Sequence, residues 1–568
     1  MEIHKISDLP AHQRVAIRGW CIYDWANSGF SASGVAAIFP VYFVYLFKDA
    51  LGESVQVWGF PFTGSSMWSL AAAVSTLIVA LSGPLLGVIA DHVPVKKPLL
   101  FIYTLGGSIF IILAFFAVYT PHPWAWLIIM FAVANIGFSG SLMFYNSFLP
   151  HLAPRNLLDD ISSRGYAYGY VGGGLLLLIH LAVIMAFQDT EFADLVTRAS
   201  IASIGLWWMG WSMWTLKTVP EPEISNPIHG MSPAAAMLLA WRQLGKTFGE
   251  IAKFRVIVIY LASYLLFNDG IQTVMGIAGA FAADTLRIPL AFNMATILII
   301  QFVAAFGAMI FSRLADRFTT KGALAISLLG WSLIILFGVA LAPLVPRDHS
   351  SFDYQLNYQE KSGSYLIVGS PTIGNSSSDA RWLDEIGGLV SGSSINTSRA
   401  ERILTTVEET PSSWYSLSIA EGPLSGRNSI GPLHPSSLGD GPLDWWPKFF
   451  RDAVWTPLKI SSGFQWLILG SLVGLVMGGS QALARSLFAK ITPETRSGEF
   501  FSFFGFMGRA SSVFGPMVYL IMTGMFDTRV ALTSILIIII GGTVILKWVD
   551  VNKGTEVAAM EDRFQRNG

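Results

Sequence analysis

Two aspartates at matching places in two apolar segments offer the most chemistry in this chain. Asp24-Trp25-Ala26-Asn27-Ser28 is followed by Gly34, and Asp269-Gly270-Ile271-Gln272-Thr273 by Gly279, so carboxylate, amide, hydroxyl and glycine recur at one spacing. An ionisable group at membrane depth costs several kcal/mol unless it faces water or a partner, which makes both acids candidates for solute or proton binding. Asp269 falls well inside its apolar run and is the expected proton-coupling group. Asp24 lies nearer its segment's end, where Arg14 or Arg18 offers an alternative partner. Asn27, Ser28, Gln272 and Thr273 suit hydrogen bonds to a polar solute or to a neighbouring helix. Arg509, about ten residues into an apolar run, suits a clamp on a carboxylate or phosphate, or a buried pair with Asp24 or Asp269. Arg485, matched in the other half by Asn146, is nearer a helix end, with an adjoining turn or lipid headgroups as competing partners.

The elements that position these residues are membrane spans. The 568 residues are 53% hydrophobic and only 13% charged, against roughly 25% charged in soluble domains. Apolar runs long enough to cross a bilayer as helix occur near 18–47, 66–90, 99–119, 124–148, 165–187, 198–219, 256–283, 290–312, 322–343, 463–484, 500–526 and 530–548. The expected fold is an all-α membrane protein of twelve transmembrane helices in two pseudo-symmetric six-helix bundles. Its divisions are 1–219, a linker at 220–253, 254–343, an insert at 344–462, 463–550 and a tail at 551–568. With the N-terminus in the cytoplasm, about 22 Lys and Arg fall on inner segments and about four on short outer turns, so both termini are expected inside. No cleavable signal peptide is expected before the first span. The Ser-, Gly- and Pro-rich insert is expected to be a loosely ordered outer loop with weak strand-like pieces such as Tyr365 to Val368. Its end, Trp445 to Trp455, suits either a helix in the headgroup layer or packing on the insert. Asn375 and Asn396 stand in acceptor triplets for glycosylation, and Pro233 to Thr247 suits a surface helix in the linker.

Matches elsewhere support a duplicated architecture. Ala90-Asp91-His92 with Lys96 repeats as Ala315-Asp316-Arg317 with Lys321. Asn146-Ser147 ending at Pro154 repeats as Arg485-Ser486 ending at Pro493, and Tyr168-Gly169-Tyr170 resembles Phe504-Gly505-Phe506. Gly87, Asp91, Asp316 and Arg317, in the turns after the second and eighth spans, are the expected gate, bridging the halves in one conformation and releasing in the other. A net charge of -1 gives no basic field for nucleic acid. The single cysteine, Cys21, excludes thiolate metal clusters, so neither metal nor cofactor is expected. Gly245-Lys246-Thr247 lacks the first glycine of a phosphate loop, and no hydrolase pattern appears, so enzyme activity is not expected.

Gly87-Val88-Ile89-Ala90-Asp91 with Lys96-Lys97 resembles the signature loop of the major facilitator superfamily, with His92 and Pro94 where Arg and Gly are usual. Tyr23-Asp24-Trp25-Ala26-Asn27-Ser28, Phe39-Pro40-Val41-Tyr42-Phe43, Gly478-Gly479-Ser480-Gln481-Ala482, Glu499-Phe500-Phe501 and Gly515-Pro516 are similar to the vacuole-effluxer-like branch, whose fungal members export amino acids. The resemblance implies a cavity lined by spans 1, 4, 5, 7, 10 and 11. The resulting expectation is a monomeric secondary transporter in the bilayer, moving a small polar solute, an amino acid among the candidates, by proton-coupled efflux. The membrane would be the cell membrane in a bacterium or the vacuolar membrane in a fungus. A non-transporting receptor or scaffold using the insert is the alternative.

Overall fold

The computed structural model describes residues 5–52, 55–57, 60–224, 238–243, 245–246, 253–286, 288, 290–371, 382, 386, 389–411, 413–432, 434–436, 443–512, 514–526 and 528–567. The twelve expected spans are all helical. Spans 1 to 6 are Ala11–Leu51, Gly64–His92, Lys96–Tyr119, Pro123–Leu152, Arg155–Phe187 and Ala193–Thr218. Spans 7 to 10 are Arg255–Ala280, Leu290–Phe318, Thr320–Ala340 and Ser462–Ile491. Span 11 breaks into Ser497–Ala510 and Phe514–Met525, and span 12 is Thr528–Leu546. Among the described residues ten segments are long and apolar enough to cross a bilayer alone. The other two are span 6, which carries Asp194, Arg198 and Lys217, and span 11, whose pieces of 14 and 12 residues fall short of the about 20 needed.

The spans form two bundles. Span 1 packs on spans 5 and 6 and span 3 on spans 4 and 6; span 10 packs on spans 8 and 9, and span 7 on span 12. The bundles meet where span 5 lies against spans 8 and 10 and where span 11 lies against span 2. Glycines permit these approaches: a Cβ on Gly478 would sit 2.0 Å from the Ala304 carbonyl, and one on Gly173 2.8 Å from that of Ser28. Several spans run beyond their apolar cores at the end of the molecule bearing the termini. There the extra turns carry Asp159, Arg485 and Lys490, which find partners in the opposite bundle.

The described part of the insert is folded, contrary to the expectation of a loose loop. Besides a hairpin of β1 (Val55–Val57) and β2 (Phe60–Phe62), the strands are β3 (Tyr354–Gln359), β4 (Ser364–Gly369), β5 (Ser394–Asn396), β6 (Ser416–Ala420) and β7 (Asn428–Ile430). The last five form one sheet ordered β5-β4-β3-β6-β7, with β3 and β6 parallel and the other pairs antiparallel. Period-two alternation turns Tyr365 and Ile367 inward, where with Leu356, Leu417 and the apolar face of helix Thr397–Glu409 they build a separate core. Asn396 caps that helix, its Oδ1 accepting the Arg399 N–H at 2.9 Å, so the acceptor triplet is doing local structural work. Asn375 lies outside the described residues, as do 233–237, 244 and 247, whereas 238–243 and 245–246 of the expected linker helix are helical.

The tail forms a docked helix, Val551–Asn567. Asp562 accepts the Thr495 N–H at 2.9 Å, and Glu561 meets Arg496 and Lys253. Burial alone would raise the Glu561 pKa, but hydrogen bonds from Lys253 and Gln565 and the charge of Arg496 hold it below the usual glutamate value. A depressed native pKa adds stability above the unfolded value, about 4.3, which is lost as pH falls through the native one. Protection of the tail amides, taken relative to the intrinsic exchange rate at each pH, is therefore expected to hold near neutrality and to fall below about pH 4. Protection in Glu561→Gln that tracks wild type across this range would refute the linkage.

Candidate functional site

Span 10 delivers Arg485 into a pocket built wholly from the first bundle. Its guanidinium is 2% exposed. Nε donates to Ser162 Oγ at 2.9 Å, Nη1 to Asp24 Oδ2 at 3.1 Å and Asn146 Oδ1 at 3.3 Å, and Nη2 to Asp24 Oδ2 at 3.1 Å and the Ser162 carbonyl at 2.8 Å. These five bonds use all five guanidinium donors. Asp24 also accepts the Tyr145 hydroxyl at 2.7 Å, and the rings of Tyr166 and Trp20 lie 4.1 Å and 4.7 Å from the arginine carbon. Gly165 is required here, since its Cβ would fall 2.6 Å from Asp24 Oδ2. The partner of Asp24 is thus neither Arg14 nor Arg18, and Arg485 meets neither headgroups nor the turn after span 10. Asn146 and Arg485 are equivalent positions, so their contact marks the pseudo-twofold axis.

The duplication explains why Asp269 differs. Its counterpart of the Asp24–Arg485 pair would need a cation at 146, where asparagine stands, already bonded to Arg485. Asp269 is 1% exposed and makes no hydrogen bond of normal geometry among the described residues. The backbone N–H groups of Phe514 and Gly515, opening the second piece of span 11, face it. It does not line the central cavity, contrary to the sequence expectation. Thr273 donates to the Asp269 carbonyl, while Asn27 is buried and Ser28 packs against Gly169 and Gly173 in span 5. None of these three lines the central cavity, and the Asn27 amide nitrogen is buried without a hydrogen-bond partner among the described residues. His180 is satisfied, between Ser33 at 2.6 Å and Ser203 at 2.7 Å.

The central cavity, about 350 Å³, lies between the bundles and is lined by spans 1, 2, 4, 5, 7, 10 and 11. Of the expected residues it gathers Asn146, Gln272 and Arg509. Arg509 is exposed into it, and among the described residues no carboxylate pairs with the guanidinium, which stands 5.9 Å from the Phe138 ring. The buried pairs of Arg509 with Asp24 or Asp269 do not form. Sequence reasoning missed Tyr166, Tyr264, Asn268 and Gln481, which also line it. Gln481 accepts the Tyr170 hydroxyl at 2.6 Å, and Asn268 donates to Gly508 and Ser511. A hydrogen-bonding signal was present in each, but apolar-run counting ignores polar tips.

At the terminus-bearing end two clusters tie the bundles. Asp91 accepts the N–H groups of Gly498 and Glu499, each at 2.8 Å, at the N-terminus of span 11, and pairs with Lys96 at 2.9 Å. Lys96 reaches Ser497 at 2.7 Å, and His151 reaches the same hydroxyl at 2.9 Å. In the other cluster Asp159 accepts from Lys490 at 2.6 Å, Ser486 at 2.6 Å and Thr320 at 2.7 Å. At the spacing that relates Pro154 to Pro493, Asp159 is the counterpart of Gly498, and Lys490 of His151. The helix N-terminus that Asp316 would cap therefore already carries Asp159 and Asp160. Asp316 is exposed instead, and Arg317 is exposed over the ring of Phe318 in its own helix. Of the four residues expected to gate, Gly87 and Asp91 lie at a contact between the bundles, and Asp316 and Arg317 do not. Glu221 closes the arrangement, its carboxylate accepting the N–H groups of Lys96 and Lys97 at 2.7 Å each.

The profile of the family described as "Vacuole effluxer Atg22 like" matches residues 12–345 and 453–559, both bundles without the insert. The chain belongs to this family. It is 24% identical over 548 residues to the uncharacterized MFS-type transporter YxiO of Bacillus subtilis (strain 168), with 96% of each chain covered. That alignment crosses the insert. Autophagy-related protein 22-1 of Penicillium rubens is 27% identical over 372 residues, covering 52% of this chain and 60% of that one. Among solved structures the proton:xylose symporter XylE bound to 6-bromo-6-deoxy-D-glucose superposes with a TM-score of 0.55 at 13% identity, covering 97% of this chain and 98% of that one. A bacterial homologue of the iron transporter ferroportin superposes with a TM-score of 0.51 at 12% identity, covering 95% and 99%. This Atg22-like protein is an integral, multi-pass membrane transporter of the major facilitator fold and not an enzyme.

Proposed function

We propose that this Atg22-like chain carries a small solute bearing an anionic group, an amino acid by its carboxylate, through alternating access of the two bundles. The observation behind this reading is Arg509: a guanidinium exposed to a cavity at membrane depth, with no acidic partner among the described residues. Placing it there is costly, and a solute carboxylate held in a bidentate grip supplies the missing countercharge. Asn268, Gln272 and Gln481 offer hydrogen bonds to the solute's remaining polar atoms, and Tyr264 and Phe138 cover its apolar part.

Coupling to protons rests on Asp24 rather than on Asp269. Asp24, unlike Asp269, is a carboxylate whose neutralisation would change a contact between bundles, because it holds Arg485, and it lies deeper in its span than Asp91 and Asp159 at the terminus-bearing end. With both termini cytoplasmic, as the charge bias implies, the bundles are tied on the cytoplasmic side and the cavity is reached from the side of the insert. Protons driving solute out of the cytoplasm or vacuole lumen fit this geometry.

The test is counterflow in proteoliposomes with a panel of amino acids, their uncharged amide analogues and sugars. Solutes with a free carboxylate are expected to exchange, and Arg509→Gln to raise their KM about 30-fold or more, with Arg509→Lys in between. Exchange confined to uncharged solutes, with Arg509→Gln at wild-type KM, would overturn the reading.

A further inference from the structure

A second polar cavity, about 150 Å³, sits where the insert rejoins the membrane helices, far along the chain from the transport path. Arg347, Lys448, Arg451 and Arg529 line it, with Asp444 the one carboxylate in its wall among the described residues; Asp452 engages Arg347 from outside at 3.2 Å. Asp348 also acts on Arg451, so among the described residues four cations stand against three carboxylates. Arg529, at the start of span 12, is 2% exposed; Nη2 donates to the Pro343 carbonyl, while Nε has no hydrogen-bond partner among the described residues. Asp444 lies 3.4 Å away, too poorly placed to satisfy it. Lys448 is exposed and has no ion pair among the described residues. Burial first, and then the charges of Arg347 and Arg529, hold the Arg451 pKa below the usual arginine value against the opposing charges of Asp452 and Asp348.

The surroundings place this cavity at a membrane boundary. Helix Trp445–Phe450 packs Trp446 against the end of span 9, Nε1 donating to the Leu336 carbonyl at 2.8 Å, and Phe450 against Phe337. Trp445 and Phe449, on its other side, stay 63% and 55% exposed, and Leu458 and Phe464 nearby are 63% and 57% exposed. Aromatic side chains at the ends of spans suit the headgroup layer, and a cluster of cations beside them suits acidic lipid. Of the two orientations expected for this segment, half of each is realised: one pair of aromatics packs on the membrane helices and the other faces outward.

We propose that this cavity holds the phosphate of an anionic phospholipid from the leaflet on the insert's side, fastening the insert to the bilayer. The phosphodiester enters between Lys448, Arg451 and Arg529, while the acyl chains run down the faces of spans 9 and 12 beside Trp445 and Phe449. The volume admits a phosphate with a few waters, at about 30 Å³ per water.

The experiment is native mass spectrometry of the purified full-length chain exchanged into micelles doped with phosphatidylglycerol or phosphatidylcholine. Wild type is expected to retain phosphatidylglycerol preferentially, and Lys448→Gln/Arg451→Gln to lower that retention about 10-fold. Lys448→Arg/Arg451→Lys should keep it, and thermal unfolding should match wild type in both. Should the double variant fail to fold, Lys448→Gln alone, at an exposed position, is expected to lower retention about 3-fold. Equal retention of the two lipids, or undiminished retention in a folded Gln variant, overturns the proposal. Displacement of the lipid by millimolar inorganic phosphate would make the cavity a site for a soluble anion and overturn the lipid assignment.

Discussion

Asp24→Ala is expected to lower stability by about 3–5 kcal/mol, because it strands a fully buried guanidinium among the tyrosine rings and serines of the opposite bundle. Arg485→Ala should be costly for the complementary reason, leaving the Asp24 carboxylate only the Tyr145 hydroxyl at 2.7 Å. The double variant Asp24→Ala/Arg485→Ala is then expected to be more stable than either single one, since neither charge is left alone. Unfolding followed in detergent by intrinsic fluorescence gives the cycle, and strictly additive losses would refute the latch. All three variants are expected to be inactive in counterflow or nearly so. A carrier must break this contact once per cycle, so its energy has to be returned by the solute or by a proton on Asp24. Asp24→Asn separates those roles. It keeps the shape and a hydrogen bond, and should preserve exchange of solute while losing acceleration by a pH gradient.

What the sequence discloses about this site follows from which interactions are local. Twelve spans are legible because crossing a hydrocarbon core demands about 20 apolar residues in a row, a requirement read one segment at a time. The pairing of Asp24 with Arg485 links positions far apart in the chain, and duplication alone points toward it. Asn146 and Arg485 are matched, so the sole cation of that pair of positions has one carboxylate to serve. That asymmetry also leaves Asp269 without a cationic partner among the described residues, although its motif copies that of Asp24. The same reasoning applies at the bundle contact after span 2, where Gly498 is replaced in the other half by Asp159, which engages Lys490 and Thr320 and leaves Asp316 outside the contact. The insert was illegible for a different reason. Its strands β5 and β7 are three residues long and its core comes from scattered Tyr, Ile, Leu and Trp, so neither periodicity nor composition separates it from a Ser-rich loop. Cavity residues such as Tyr264 and Gln481 belong to apolar helices, and only the meeting of two bundles shows that their polar ends converge.

Gly87→Val tests the bundle contact without disturbing either bundle. A Cβ on Gly87 would lie 2.3 Å from Ser502 Oγ and 2.4 Å from the Gly498 carbonyl, both in span 11, and the three nearest atoms all belong to the opposite bundle. The hydroxyl could rotate away but the backbone carbonyl could not, so the clash is confined to the conformation in which the terminus-bearing ends are joined. Overpacking of this kind costs about 1–3 kcal/mol, which at 1.4 kcal/mol per decade shifts the balance between conformations about 5- to 150-fold away from this one. Gly498→Ala should act alike, its Cβ falling 2.6 Å from the Gly87 carbonyl and 2.9 Å from Asp91 Oδ1. Gly106→Val, at a position with nothing within 4 Å, is the control. With Cys21 replaced by serine and a cysteine put at Gln481 in the cavity wall, thiol reagents added on the side of the termini should label Gly87→Val and Gly498→Ala faster than the control, while unfolding temperatures stay close to one another. Net transport should fall by the factor the labelling reports, because a carrier held open on one side completes fewer cycles. Labelling and flux equal to those of the control would mean that the two bundles part here by a route that leaves Gly87 beside Gly498, and the turn after span 2 would then be a fixed seam and not a gate.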